Sequence, residues 1–238
     1  MKRLISGVVT SLLLTTSYAQ DGAVSFNAAA TSDYRYRGIS QTRLRPALQG
    51  GVDWTDSASG VYAGAWASTI RWTRDAGGDG GVELDLYAGQ RGTLAHGVSY
   101  DVGVLGYAYP SNGLAPNADT LELYSQLGYG PVSVKYSHAL TNLFGFAGSR
   151  HSGYLDASAT QDLGAGWTLN LHAGRQRVRQ HAVSSYTDWK VGVTKEVAGA
   201  TVALAYVGTN ADKAAYASPV NGKFTGRDAL QLTVSKVF

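Results

Sequence analysis

The sequence predicts an all-β fold, a transmembrane antiparallel up-and-down β-barrel of about twelve strands, on three observations. Segment after segment alternates apolar and polar residues with a period of two, which gives a strand one greasy face and one wet face. The links between these segments alternate in length, six long and five short. After residue 19 no run of 18 or more apolar residues occurs, so no helix is predicted to cross a bilayer. A membrane-spanning chain without such helices must close its sheet, because in hydrocarbon only helices and closed barrels satisfy every backbone N–H and C=O. Outer-membrane barrels carry long loops on one side, short turns on the other and an even number of strands. The alternation here puts both ends of the sheet on the short-turn side.

Composition fits a single domain of this kind. Thirty Gly, fifteen Tyr and five Trp against five Pro suit short strands with tight turns. With no cysteine, neither a disulfide framework nor a thiolate metal site is available. The N-terminus reads as an export signal: Met1-Lys2-Arg3 is basic, Leu4 to Leu14 is apolar, and Ser17-Tyr18-Ala19 offers small residues at a cleavage site. We expect a signal peptide over 1–19 and a barrel domain over 20–238. Losing Lys2 and Arg3 takes the chain from 20 basic residues to 18, against 17 acidic ones. The remaining net charge of +1 gives no argument for nucleic acid.

In chain order, the first strand alternates Val24, Phe26, Ala28 and Ala30 with Ser25, Asn27, Ala29 and Thr31, and is expected to continue through Asp33-Tyr34-Arg35. A loop from Tyr36 to Arg45 ends at Pro46, which cannot donate to a ladder and so marks a strand start. The second strand is Ala47 to Thr55, the turn Asp56 to Gly60, and the third strand about Val61 to Arg71. A polar, Gly-rich loop, 72–80, precedes the fourth strand, Val82 to Arg91, where Val82, Leu84, Leu86 and Ala88 oppose Glu83, Asp85, Tyr87 and Gly89. The fifth strand is Val98 to Tyr109, the sixth Asp119 to Tyr129 and the seventh Val132 to Leu140, the last two joined by Gly130-Pro131 alone. The eighth, about Ser152 to Leu163, has the faintest alternation. Trp167, Leu169, Leu171 and Ala173 define the ninth, a basic loop runs from Arg175 to Ser185, and Trp189, Val191 and Val193 define the tenth. The eleventh carries Val202, Leu204 and Tyr206, and a loop from Gly208 to Arg227 leads to the closing strand, Asp228 to Phe238. There Leu230, Leu232, Val234 and Phe238 share a face with Lys236, whose long stem can carry its charge to a headgroup layer. This ending resembles the closing strand of bacterial outer-membrane barrels, which implies recognition of Phe238 by the barrel assembly machinery.

Charge and aromatic residues sort by position. Asp33, Asp53, Glu83, Asp85, Asp101, Glu122, Lys135, Asp156, His172, Asp188 and Lys190 fall on the polar face and are expected to line a lumen whose acid excess gives weak cation preference. Arg35, Arg37, Arg43, Arg45, Arg71, Arg74, Arg150, Arg175, Arg177 and Arg179 are expected at the outer rim, where guanidinium groups can bind lipopolysaccharide phosphates; the alternative is that some fold inward as a constriction and give anion preference at the mouth. Two aromatic belts are expected: Trp54, Tyr129, Trp167 and Phe238 at the short-turn end, and Tyr34, Tyr107, Tyr109, Tyr186, Trp189 and Tyr206 at the other. No catalytic residue emerges. Ser137 and His138 are neighbours on a strand and point to opposite faces, no Gly-x-Ser-x-Gly occurs, and His96, His138, His151, His172 and His181 lack metal spacing. The single Gly77-Gly78-Asp79-Gly80-Gly81 reads as a flexible loop rather than a calcium site. No metal or cofactor is expected.

With these residues laid out, the chain resembles the TorF family of bacterial porins. The match is most specific in Thr31-Ser32-Asp33-Tyr34-Arg35-Tyr36-Arg37-Gly38-Ile39-Ser40-Gln41-Thr42 and in Pro46-Ala47-Leu48-Gln49-Gly50-Gly51-Val52-Asp53. Further pieces are Gly60 to Ser68 and Glu83 to Gly89. The resemblance implies an outer-membrane porin and brings no substrate or catalytic residue with it. The expected function is passive diffusion of small hydrophilic solutes, with outer-membrane lipid and lipopolysaccharide as surroundings. The alternative is a non-conducting barrel that acts at the cell surface through its loops. Intact-mass analysis of the exported protein should find a chain beginning at Gln20; one that retains Met1 would contradict the leader assignment.

Overall fold

The structure, a computed structural model, describes residues 22–238. The expected signal peptide, 1–19, lies outside the described residues. In chain order the strands are β1 (Ala23–Thr31), the two-residue β2 (Arg35–Tyr36) and β3 (Ile39–Ser40), β4 (Ala47–Thr55), β5 (Val61–Thr69), β6 (Val82–Thr93) and β7 (Ser99–Ala108). There follow β8 (Thr120–Tyr129), β9 (Val132–Ala139), β10 (Gly153–Gly164), β11 (Trp167–Arg177), β12 (Tyr186–Val197), β13 (Ala200–Thr209) and β14 (Ala229–Val237). Twelve of them close into one antiparallel barrel, in which β1 pairs with β4 on one side and β14 on the other; β2 and β3 form a separate ladder. Phe26 and Phe238 lock the seam, each backbone N–H donating to the other's carbonyl at 3.2 and 2.8 Å.

The short turns follow from local chemistry. Ala165-Gly166 and Ala198-Gly199 have both central residues at positive φ, the hairpin geometry whose twist matches that of the flanking strands. In the turn after β4 the Ser59 hydroxyl (2.6 Å) and the Ala58 N–H (3.0 Å) donate to the Asp56 carboxylate and hold it below the usual carboxylate range. The long connections gather at the opposite rim, and the one between β5 and β6 contains a helical turn, α1 (Trp72–Asp75).

Burial alternates along the wall as the period of two requires. On β14 Leu230, Leu232 and Val234 face outward, as do Leu121, Leu123 and Leu127 on β8. Trp54, Tyr129, Trp167 and Phe238 also face outward at the short-turn rim, where one aromatic belt was expected. The second belt is corrected. Trp189 and Tyr206, joined by Tyr136, face outward, whereas Tyr34, Tyr107, Tyr109 and Tyr186 are buried inside. Parity explains the error: Tyr107 lies six residues from Asp101 and Tyr186 two from Asp188, so each shares the inner face with its carboxylate.

Two boundaries also shift. The chain leaves the wall at Thr31 rather than continuing to Arg35, and Arg175 and Arg177 belong to β11 rather than to a loop. The packed core lies within the barrel, in its long-loop half, where Tyr34, Trp66, Ile70, Tyr107 and Tyr109 surround the first loop. Tyr34 meets Trp66 edge to face at 5.4 Å and Trp72 meets Tyr109 at 4.9 Å, the arrangement favoured by aromatic quadrupoles.

An apolar outer face predicts a directional cost. In lipid vesicles Leu171→Arg, midway along β11 and pointing outward, should lower unfolding stability by about 2–4 kcal/mol, whereas Asn170→Arg, pointing inward, should cost less than about 1 kcal/mol. Denaturant titration by tryptophan fluorescence reads both. Equal effects would mean that the outer face does not meet hydrocarbon.

Candidate functional site

After Thr31 the first long connection turns into the barrel, and Asp33 organises that turn. Its buried carboxylate accepts from Arg35 Nε at 2.5 Å, from Ser40 Oγ at 2.5 Å and from Thr42 Oγ1 at 3.1 Å. Arg35 Nη1 donates in turn to the carbonyls of Gly38 (3.0 Å), Thr225 (3.2 Å) and Arg227 (2.8 Å), which ties the first loop to the last. At the tip of the β2–β3 hairpin, Arg37 and Gly38 have φ of 46° and 79°. Gly38 also lies so close to β12 that a Cβ there would stand 2.7 Å from the Asp188 Cβ, so the position needs glycine on both counts.

The hairpin thereby carries Arg37 across the lumen. Its Nη2 donates to Glu122 Oε2 on β8 and its Nη1 to Gln176 Oε1 on β11, both at 2.7 Å. The guanidinium also lies 4.3 Å from the ring centre of Tyr154 and 4.8 Å from that of Tyr36. The hydroxyls of Tyr36 and Tyr107 are 2.5 Å apart, and Tyr107 donates to Glu122 at 3.2 Å. Tyr36 and Arg37 line two cavities. One, of about 250 Å³, opens among the long loops between Trp72, Phe144, Phe146 and Tyr216. The other, of about 200 Å³, extends towards the short turns along Lys135, Asp156, His172 and Lys190. The hairpin tip is the partition between them.

The expected lumen residues all face inward, but they fall into different environments. Asp33 sits in the inward loop rather than on the wall. Glu83, Asp85 and Glu122 are buried in the packed half instead of lining water. Tyrosine hydroxyls donate to most of the carboxylates: Tyr34 to Glu83 (2.6 Å), Tyr87 to Asp53 (2.5 Å), Tyr62 to Asp101 (2.5 Å) and Tyr154 to Asp188 (2.9 Å). One buried oxygen of Asp85 and Oε1 of Glu122 lack a partner among the described residues. His172 Nδ1 lies 3.0 Å from Asp156 and its Nε2 lies 2.8 Å from Asp188. A ring that donates from both nitrogens is an imidazolium. Lys135 lies over the Tyr124 ring at 3.9 Å, and Lys190 lines the same cavity.

Among the arginines expected at the outer rim, two are corrected: Arg35 and Arg37 are 4 % and 8 % exposed and lie inside, drawn there by Asp33 and Glu122. Arg43 is half-buried and paired with Asp75, and Arg45 is exposed at the long-loop end. Arg175 and Arg177 are exposed at that rim, on the β11 face that carries Leu171 and Ala173, and Arg179 is exposed in the loop that follows. Ser137 and His138 do face opposite sides: Ser137 is buried inside, and His138 lies 3.0 Å from His151.

The tyrosines were missed as carboxylate partners. Their signal is cross-strand, since Tyr87 is registered against Gly64 and Tyr62 against Gly89. A Cβ on either glycine would fall 2.5 Å from the facing tyrosine, so only glycine lets these rings lie against the wall.

No curated protein matches the chain in sequence. Solved structures match in fold. The NanC porin superposes with a TM-score of 0.55 at 10 % identity, over 90 % of this chain and 98 % of that one. A membrane protein from a study of in-meso crystallisation gives 0.52 at 9 % identity, over 90 % and 83 %. OccD3 (OpdP) of Pseudomonas aeruginosa gives 0.43 at 12 % identity, over 93 % and 66 %. At these identities the likeness is one of fold, that of the outer-membrane β-barrels. Residues 17–238 match the family model Gcw_chp, described as a bacterial protein of unknown function, and the chain belongs to that family.

Proposed function

We propose that this protein is an outer-membrane porin through which small hydrophilic solutes diffuse passively, with its passage narrowed by the first loop. The observation that carries the reading is the pair of cavities meeting at Tyr36 and Arg37 inside a barrel with an apolar outer face. The porin resemblance of the Thr31 to Thr42 stretch supports it, as does the position of Tyr36 and Arg37 of that stretch on the border of both cavities. On this reading the exported chain is inserted by the barrel assembly machinery, with Phe238 on the outward face of the seam as the feature recognised. Arg175 and Arg177 continue the outward column of β11 beyond Ala173, and Arg179 follows in the adjoining loop, where guanidinium groups would meet lipopolysaccharide phosphates.

Cation preference, expected from the acid excess, loses its basis here. The acids of β6 and β8 are buried, and those of β4 and β7 are held by tyrosines, while Lys135 and Lys190 border the cavity towards the short turns.

Planar-bilayer recording tests the reading. Arg37→Ala alone would leave the Glu122 carboxylate buried without its cation, with Tyr107 as its donor, at a cost of about 3–5 kcal/mol. The informative variant is therefore Arg37→Ala/Glu122→Gln, with folding followed by heat-modifiable gel mobility. The native barrel should give small, steady conductance steps and the double variant larger ones. If neither conducts while both are folded, the barrel is a non-conducting surface protein, as in the alternative reading.

A further inference from the structure

We propose that the chamber between the first loop and the short turns is a binding site for a small carboxylate-bearing solute, held by the ammonium groups of Lys135 and Lys190. The inference deepens the porin reading and rests on it only in that water and solutes must reach the chamber.

Four observations lead to it. First, the charges around Lys135 and Lys190 are already matched. Arg35 is bound to Asp33, Arg37 to Glu122 and Gln176, and His172 stands between Asp156 and Asp188. Asp188 also accepts from Tyr154 (2.9 Å), and Asp156 from Ser158 (2.5 Å).

Second, the two lysines are left over. Neither ammonium has a hydrogen-bond or ion-pair partner among the described residues; the close neighbour of Lys135 is the face of Tyr124. Each presents three N–H donors to the chamber. Asp101, which also acts on Lys135, is registered against Arg91, and Glu122 is paired with Arg37. With those charges matched, Asp156 and Asp188 against one imidazolium and two ammonium groups leave one positive charge, which a single carboxylate neutralises.

Third, register places them on either side of the His172 cluster. Lys135 on β9 is opposite Asp156 on β10, and Lys190 on β12 is opposite His172 on β11. The wall thus holds two cations apart, with the space between their ends facing the lumen.

Fourth, size and lining limit the solute. A cavity of about 150 Å³ accommodates benzene, so 200 Å³ suits a molecule slightly larger than that. Gln126, Ser133 and Thr194 add amide and hydroxyl groups to the same chamber, which favours a hydrophilic body behind the carboxylate. A charge-assisted bond from each lysine replaces water at the carboxylate oxygens and is stronger than its neutral counterpart.

Isothermal titration of the folded, detergent-solubilised mature chain with sodium lactate, in low-chloride buffer, tests the site without requiring conduction. Glycerol serves as the neutral probe of similar size, and inorganic phosphate as the second anion. We expect lactate to bind and glycerol not to bind. Lys135→Gln and Lys190→Gln should each weaken lactate about tenfold or more. Lys236→Gln, which removes a cation on the outer face, should leave binding unchanged. Folding of every variant is followed by heat-modifiable mobility.

Failure of lactate to bind the folded native barrel, or equal affinity in the Lys135→Gln/Lys190→Gln double variant, would overturn the site. Phosphate binding with no lactate binding would overturn the carboxylate assignment. Conductance without lactate binding would defeat this inference and leave the porin reading standing; lactate binding without conductance would do the reverse.

Discussion

The structure depends on the closure of β1 onto β14. An open sheet of twelve strands has two rows of unpaired N–H and C=O groups, and hydrocarbon offers those groups nothing. Closure removes both rows at once, and the period of two then sorts every side chain along the wall into one of two solvents. Leu230, Leu232 and Val234 point to the outer one, while Gln231 and Thr233 between them donate to Thr31 and to the Asp33 carbonyl inside. The seam and the anchoring of the first loop are therefore neighbours.

Inside, the difficulty is charge. Carboxylates from several strands converge in a space where some are fully buried, and an isolated buried charge is costly. The chain meets this with tyrosine. Each hydroxyl that donates to an ionised acceptor contributes on the order of 1.5–3 kcal/mol, and the flat ring takes little of the lumen when it rests on glycine. Tyr87 over Gly64 and Tyr62 beside Gly89 show the device on two adjacent strands. The first loop applies the same logic with arginine: Arg35 and Arg37 enter the barrel because Asp33 and Glu122 receive them. A loop expected at the surface thus lies inside the barrel, where Tyr36 and Arg37 border both cavities.

Much of the fold was legible in the sequence because strand period and turn chemistry are local. The turn at Asp56 to Gly60, the outward column of β14 and the alternation of long and short links all lie within a few residues of their cause. The path of the first loop was not legible, because its cause is not local. Asp33, Arg35, Ser40 and Thr42 are close in sequence, yet the partners of Arg37 lie 85 and 139 residues away. A run of arginines next to a strand looks like a solvated loop until those partners are known. The inward tyrosines depart from the expected belt for a simpler reason: parity along a strand, not nearness to its end, sets the face, and Tyr107 shares the face of Asp101.

The central claim is that hydrocarbon wets the outside of the wall and water reaches its inside. Because the chain has no cysteine of its own, single cysteines can be placed at positions 168 to 171 of β11 and exposed, in lipid vesicles, to a membrane-impermeant thiol reagent. The account predicts labelling at 168 and 170, which face the lumen, and protection at 169 and 171. Uniform labelling along the strand would contradict it.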